Sequence, residues 1–196
     1  AITALVARRE IARAKAAGED SPVIIHNLIT SLAVPELVLR EGGRPIRTRV
    51  GHSFIKAVMA SEGGVFGGEH SAHYYFRDFW GADTGMLAAL HVLELVRESD
   101  QPLSALASVY DGYSRSGELN STVDDAQACQ ERVAGAFDGR GDVEWGDGLT
   151  VRNRTEGWWL NLRPSNTEPL LRLNVEARND ATMGALRDEV LALVRA

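Results

Sequence analysis

Over the first hundred residues, short β-branched runs alternate with helical ones, and this alternation is the strongest constraint on what the chain folds into. Residues 2–16 are Ala-rich, with Ile2, Leu5 and Val6 on one helical face and Gly18 as the stop. "SPVIIHNL" has the character of a short buried strand. "SLAVPELVLREGG" reads as a helix that tolerates Pro35 near its start and ends at Gly42. "RPIRTRV" follows as a strand, "GHSFIKAVMASEGG" as a short helix, and "GVFGGEHSAHYYF" as strand, loop and strand. "ADTGMLAALHVLELVRES" is a strong helix with Asp83 or Thr84 as its cap and apolar groups almost all round, which implies burial. The whole stretch predicts a layered α/β domain.

The pattern changes at Ser99-Asp100-Gln101-Pro102, a polar stretch with a proline and the best linker candidate. Beyond it, "STVDDAQACQERVAGAF" reads as a helix opened by Ser121 or Thr122, and "VEWGDGLTV" as a hairpin around Gly146-Asp147-Gly148. "GWWLNL" and "LLRLNVEA" are two more strands, and the last helix is amphipathic through Met183, Leu186, Val190 and Leu193. The expected fold is therefore an α/β layered domain at 1–100 followed by a small α+β domain at 101–196, an antiparallel sheet with helices on one face.

Composition narrows the partners. The chain has 196 residues and a net charge of −6, which argues against a nucleic-acid phosphate footprint. No window reaches the roughly 18 apolar residues that span a bilayer, and no secretory signal opens the chain. The lone Cys129 shares a helical face with Ala126 and Val133, so it reads as core, with a reducing cytoplasm as the expected compartment. The chain begins Ala-Ile-Thr without Met, which suggests a processed product or a piece of something longer.

Two clusters carry chemistry. In "GGEHSAHYYF", the order Glu69-His70-x-x-His73 differs from a helical H-E-x-x-H zinc site, and the glycines and aromatics favour loop and strand. On an extended backbone, period two puts Glu69, Ser71 and His73 on one face and His70 on the other, which disfavours a metal. A carboxylate, a hydroxyl and an imidazole on one face suit a ligand with neighbouring hydroxyls; a solvated polar turn is the competing reading. In "VGHSFIK", Gly51, His52 and Ser53 mark a strand-to-helix turn whose N–H groups suit an anion, with Lys56 one turn on; a capped helix start is the alternative.

The second cluster is "NLRPSNTEPLLRLNVEA". Arg163, Ser165, Asn166 and Thr167 offer a guanidinium fork, two hydroxyls and an amide between Pro164 and Pro169. Such a loop suits phosphate, sulfate or carboxylate, although Ser and Asn also bond their own backbone in plain turns. The following strand alternates, with Leu171, Leu173 and Val175 on one face and Arg172, Asn174 and Glu176 on the other. No phosphate-binding P-loop, dinucleotide fingerprint, hydrolase elbow or paired C-x-x-C is present.

Together these stretches resemble a family. "GGEHSAHYYFRDFWGADTG" is similar to the sugar-recognition loop of the α-D-phosphohexomutases, usually G-E-x-S-G-H, and "RPSNTEP" to their C-terminal phosphate loop, R-x-S-[GN]-T-E-P. "GGRPIRTRVGHS" resembles the segment ahead of the sugar loop, and the aromatic continuation is closest to the phosphomannomutase/phosphoglucomutase branch. The resemblance covers essentially the whole chain. It implies a four-domain enzyme that moves a phosphoryl group between the 1- and 6-positions of a hexose phosphate, through a phosphoserine and a bisphosphorylated sugar. The serine loop and the Mg²⁺ loop of that chemistry are not found, so the chain resembles the third and fourth domains, expected to be inactive alone.

What the resemblance implies for single residues is as follows. Glu69 and Ser71 hold sugar hydroxyls, His73 assists as acid, base or polarising group, and His52 contacts the phosphate side of the substrate. Arg163, Ser165, Asn166 and Thr167 hold the phosphate that is not reacting. Mg²⁺ is expected on a loop outside this chain, hexose 1,6-bisphosphate as activator, and the partners are a phosphorylated hexose and the N-terminal domains of the same protein. Two positions depart: Ala72 stands at the usual Gly, and Ile29 stands roughly where some bacterial members have a lysine. A phosphoglucosamine mutase fragment and a non-catalytic phosphosugar-binding module are the alternatives.

Overall fold

The computed structural model describes residues 1–165 and 168–196. It divides into two compact units, Ala1–Gly112 and Tyr113–Ala196.

The first unit runs α1 (Ile2–Ala16), β1 (Val23–Asn27), α2 (Ala33–Arg40), β2 (Arg44–Thr48), α3 (His52–Glu62), β3 (Phe66–Gly68), β4 (Tyr74–Phe76), β5 (Ala82–Asp83), α4 (Gly85–Ser99) and α5 (Leu103–Ser108). The sheet order is β2-β1-β3-β4-β5. β1 pairs in parallel with β2 and β3, while β4 and β5 turn back antiparallel. The expected layered α/β domain is therefore present, with its core between the sheet and α1, α2 and α4. A second cluster, Val23, Ile25, Ile55, Met59 and Tyr75, packs α3 on the opposite side. The double glycine in β3 follows from this sandwich. A Cβ on Gly67 would meet Ile55 of α3 at 2.8 Å, and one on Gly68 would collide with Thr3 of α1. Alternation sends the two positions to opposite faces, so each face needs its own glycine.

Three expectations for this unit change. The unit ends after Gly112 rather than Asp100, because Leu106 and Tyr110 pack on the α1 core, so Ser99–Pro102 is a helix–helix connection. Pro102 caps α5, whose backbone starts cleanly after a fixed proline φ. And α4 is not buried all round. Ala88 and Val92 face the core, whereas Met86, Leu90 and Leu93 stand exposed.

The second unit comprises β6 (Ser114–Arg115), β7 (Leu119–Thr122), α6 (Ala126–Ala136), β8 (Asp142–Gly146), β9 (Gly148–Asn153), β10 (Trp158–Pro164), β11 (Leu170–Ala177) and α7 (Asp180–Val194). Its antiparallel sheet runs β6-β11-β10-β9-β8, with β7 also on β11. Trp158, Leu160 and Leu162 of β10 and Leu171, Leu173 and Val175 of β11 form one face, buried against Cys129, Val133 and Phe137 of α6 and Leu186, Val190 and Val194 of α7. That is the expected small α+β domain, with both helices on one face and Cys129 in the core. Ser121 and Thr122 do not open α6. They are paired to β11 in β7, and Asp125 caps the helix by accepting from Ala128 N–H at 3.0 Å.

Candidate functional site

In the first unit the chain leaves β3 at Glu69 and turns back before β4. Ala72 N–H donates to Glu69 C=O at 3.2 Å and Glu69 N–H to His73 C=O at 3.0 Å, closing a tight hairpin. Ala72 sits at φ 64°, the left-handed region where Gly is preferred, so the methyl group noted in the sequence is carried at a backbone cost of about 1–2 kcal/mol.

The turn overrides the extended-face reading. Glu69, Ser71 and His73 do not share a face: Glu69 is 2% exposed and points inward, whereas Ser71 is exposed at the tip. Glu69 Oε1 accepts from the Tyr75 hydroxyl at 2.7 Å. Its Oε2 accepts from Asn27 Nδ2 at 3.2 Å and Gly51 N–H at 3.1 Å. Asn27 is itself held by Thr30 Oγ1, 2.7 Å from its Oδ1. The carboxylate thus gathers the carboxyl ends of β1 and β3 and the start of α3, the edge where open α/β sheets usually bind ligands. Burial, and then the adjacent Glu69 carboxylate, hold the Tyr75 phenol well above its ordinary range, so it stays a donor. The Gly51 N–H expected to await an anion already meets one, the carboxylate of Glu69.

His73 lies at the mouth of the same turn. Its Nδ1 is 2.6 Å from Asp83 Oδ2, and Asp83 Oδ1 accepts from Tyr74 N–H at 2.9 Å. A carboxylate only accepts, so Nδ1 carries the proton, and in the neutral ring Nε2 is then the acceptor nitrogen. The His52 ring stands edge-on to His73, with centroids 5.6 Å apart and planes at 84°. His52 and His73 therefore come together, and His70 is exposed on the turn.

In the second unit, Arg163 of β10 and Arg172 of β11 are direct cross-strand partners. Both extend from the face opposite the helices, since their neighbours Leu162, Leu171 and Leu173 fill the core. Arg163 Nη2 donates to Glu118 Oε2 at 3.1 Å, and Arg172 Nη1 lies 3.4 Å from Glu118 Oε1. Arg172 Nη2 also donates to Ser165 Oγ at 3.1 Å. Ser165 N–H donates to Leu170 C=O at 2.8 Å, closing the loop neck. Asn166 and Thr167 lie outside the described residues.

Asn27, Tyr75, Asp83, Arg172 and Glu118 join these sites without having been singled out as site residues. Arg172 was legible, because its place on the off-core face of "LLRLNV" puts it beside Arg163 once the strands pair. Asp83 was visible only as a possible helix cap, a role that Thr84 fills by accepting from Leu87 N–H at 3.3 Å. Among the described residues no three His, Cys, Asp or Glu side chains converge as a metal site. No helix among them is long and apolar enough to cross a membrane.

Comparison with known proteins matches both units. Residues 1–113 fit the family described as phosphoglucomutase/phosphomannomutase, alpha/beta/alpha domain III, and residues 118–193 fit the phosphoglucomutase/phosphomannomutase C-terminal domain. The chain is 40% identical over 184 residues to the phosphohexose mutases of Xanthomonas campestris, covering 93% of this chain and 41% of that protein. It is 36% identical over 193 residues to a phosphomannomutase of Methanocaldococcus jannaschii, covering 98% and 41%. Among solved structures, a phosphoglucomutase/phosphomannomutase family protein of Burkholderia thailandensis superposes with a TM-score of 0.81 at 26% identity, over 99% of this chain and 41% of its own. The chain thus spans about two fifths of the length of the relatives it matches.

Proposed function

The chain belongs to the phosphoglucomutase/phosphomannomutase family, carrying its third and C-terminal domains, and from that premise we propose that it is the substrate-gripping part of a phosphohexomutase. The whole enzyme would interconvert hexose 1-phosphate and hexose 6-phosphate through a phosphoserine and a bisphosphorylated sugar, its serine and Mg²⁺ loops lying in regions of the relatives that this chain does not cover.

The observation that carries the reading is the cross-strand pair Arg163 and Arg172, with Arg172 bonded to Ser165 at the loop neck. Two guanidiniums and a hydroxyl at a loop neck match the acceptor edge of a phosphate. In this reading they hold the non-reacting phosphate, with Asn166 and Thr167 completing the loop, and the remote grip orients the reacting end.

The first unit handles the sugar. A carboxylate offers about four acceptor places, and three of those on Glu69 are taken by Tyr75, Asn27 and Gly51. Glu69 therefore accepts one sugar hydroxyl rather than two, and Ser71 at the turn tip supplies the second contact. His73, held by Asp83 through Nδ1, presents Nε2 to exchange a proton with the hydroxyl that gains or loses the phosphoryl group. His52 beside it adds a contact on the phosphate side.

Titration of mannose 6-phosphate and glucose 6-phosphate into the chain tests this by calorimetry. Arg163→Ala should raise Kd about tenfold or more, the scale of one charge-assisted contact, and His70→Ala should leave it within about twofold. Equal effects of the two substitutions would overturn the assignment.

A further inference from the structure

Directly opposed like charges on neighbouring strands repel, yet Arg163 and Arg172 are held face to face. Two carboxylates offset the repulsion: Glu168 Oε2 accepts from Arg172 Nη2 at 3.4 Å, and a second one spans the pair. Glu118 reaches both guanidiniums, Oε2 to Arg163 at 3.1 Å and Oε1 to Arg172 at 3.4 Å. It stands immediately before β7, whose Asn120 is the register partner of Arg172. The Arg163, Arg172 and Glu118 side chains are 12%, 26% and 33% exposed, so the three charges interact in a partly dry setting. The Nε–H groups of both arginines are buried and have no hydrogen-bond partner among the described residues, so the cluster still has donors to satisfy.

A carboxylate spread over two guanidiniums presents the same two-oxygen edge as a phosphate. We propose, resting on the phosphate-clamp reading above, that Glu118 is a built-in counter-anion that stands in for the phosphate. It holds the two arginines in register when no ligand is bound, and it competes for their donors when phosphate arrives. Competition of this kind lowers affinity for phosphate in the ground state and gives the clamp a partner to return to on release. Such a device fits a site that must let go of one phosphate and take up another during a reaction cycle, since a tighter ground-state grip would slow that exchange.

The test is calorimetric titration of inorganic phosphate into the whole 196-residue chain. Glu118→Gln keeps an acceptor oxygen but removes the charge, and it should lower Kd about three- to tenfold, the scale of a partly exposed charge interaction. The gain should shrink as salt is raised. Arg163→Ala should instead raise Kd about tenfold or more. Glu118→Ser gives the same sign by another route if the Gln variant folds poorly. Wild-type binding that is unchanged or weakened in the Glu118 variants overturns the proposal while leaving the clamp intact. Absence of phosphate binding in wild type and Glu118 variants alike removes the clamp reading, and the proposal with it.

Discussion

The Tyr75 hydroxyl donates a 2.7 Å hydrogen bond to Glu69 Oε1, joining β4 to the turn that precedes it. Tyr75 is 0% and Glu69 2% exposed, so the bond is shielded from bulk water. The pair fixes the geometry of the whole Glu69–His73 turn, because the other carboxylate oxygen is bound to Asn27 and Gly51. Tyr75→Phe should cost about 1–2 kcal/mol in urea unfolding, and Glu69→Ala about 2–4 kcal/mol, since it orphans three donors at once. The double mutant should cost clearly less than the sum, as one network is removed once. Additive losses would show that the two groups act independently.

The His73–Asp83 contact makes a prediction about tautomer rather than stability. ¹⁵N spectra of the neutral imidazole should show Nδ1 protonated and Nε2 bare in the wild type. Asp83→Asn replaces a pure acceptor by an amide that also donates, and it should mix the two tautomers. If the proposed function holds, the same change in a full-length phosphohexomutase carrying this chain should lower turnover about 10- to 100-fold with little effect on phosphate affinity, the usual scale for losing an orienting partner. An unchanged tautomer in Asp83→Asn would remove Asp83 from the site.

Ala72 offers a test of stored strain. Its φ of 64° favours glycine, so Ala72→Gly should relieve the clash while adding freedom to the unfolded chain. The net expectation is a gain of about 0.5–1 kcal/mol, measured by urea unfolding of the chain. A loss of stability would mean that the methyl group makes contacts worth more than the strain.

The α1–α4 interface predicts a pH dependence. Glu10 is 1% exposed, with His91 Nε2 3.4 Å from its Oε1. Arg9 and Arg13 on α1, Glu94 on α4 and Arg77 and Asp78 in the nearby turn surround the pair. Burial raises the Glu10 carboxyl above 4.5 despite Arg13, and burial, Arg9 and Arg13 lower His91 below 6.5. A raised acid stabilises fully below its unfolded value, and that contribution is lost as pH rises through the native one. A lowered base does the reverse, costing stability as pH falls below 6.5. Glu10→Gln should therefore gain stability relative to the wild type as pH rises from 4 to 7, followed by urea melts at several pH values. A gain that shrinks over that range would reverse the assigned sign.

Much of the fold is legible in local pattern. Alternating helical and β-branched runs mark the first sheet, and the period-two faces of "GWWLNL" and "LLRLNVEA" mark the second. The misreadings have local causes. Short strands such as β5 and β7 have too few residues for periodicity, so Asp83 reads as a cap and Ser121 as a helix start. The apolar face of Met86, Leu90 and Leu93 reads as buried because sequence reports hydrophobicity, whereas burial depends on what packs against it.

The candidate sites divide along the same line. Residue chemistry alone determined which two loops carry polar, ligand-suited groups, because such clusters are costly to build into a core and are visible wherever they occur. Only the tertiary structure decided how those groups are used. It turned Glu69 inward onto donors from β1, α3 and β4, gave His73 its Asp83 partner, and set Arg172 opposite Arg163 with Glu118 between them. Those relationships join residues from different strands and loops. A hydrogen bond or ion pair of that kind follows from strand register and turn geometry, and neither is written in the spacing of any one segment.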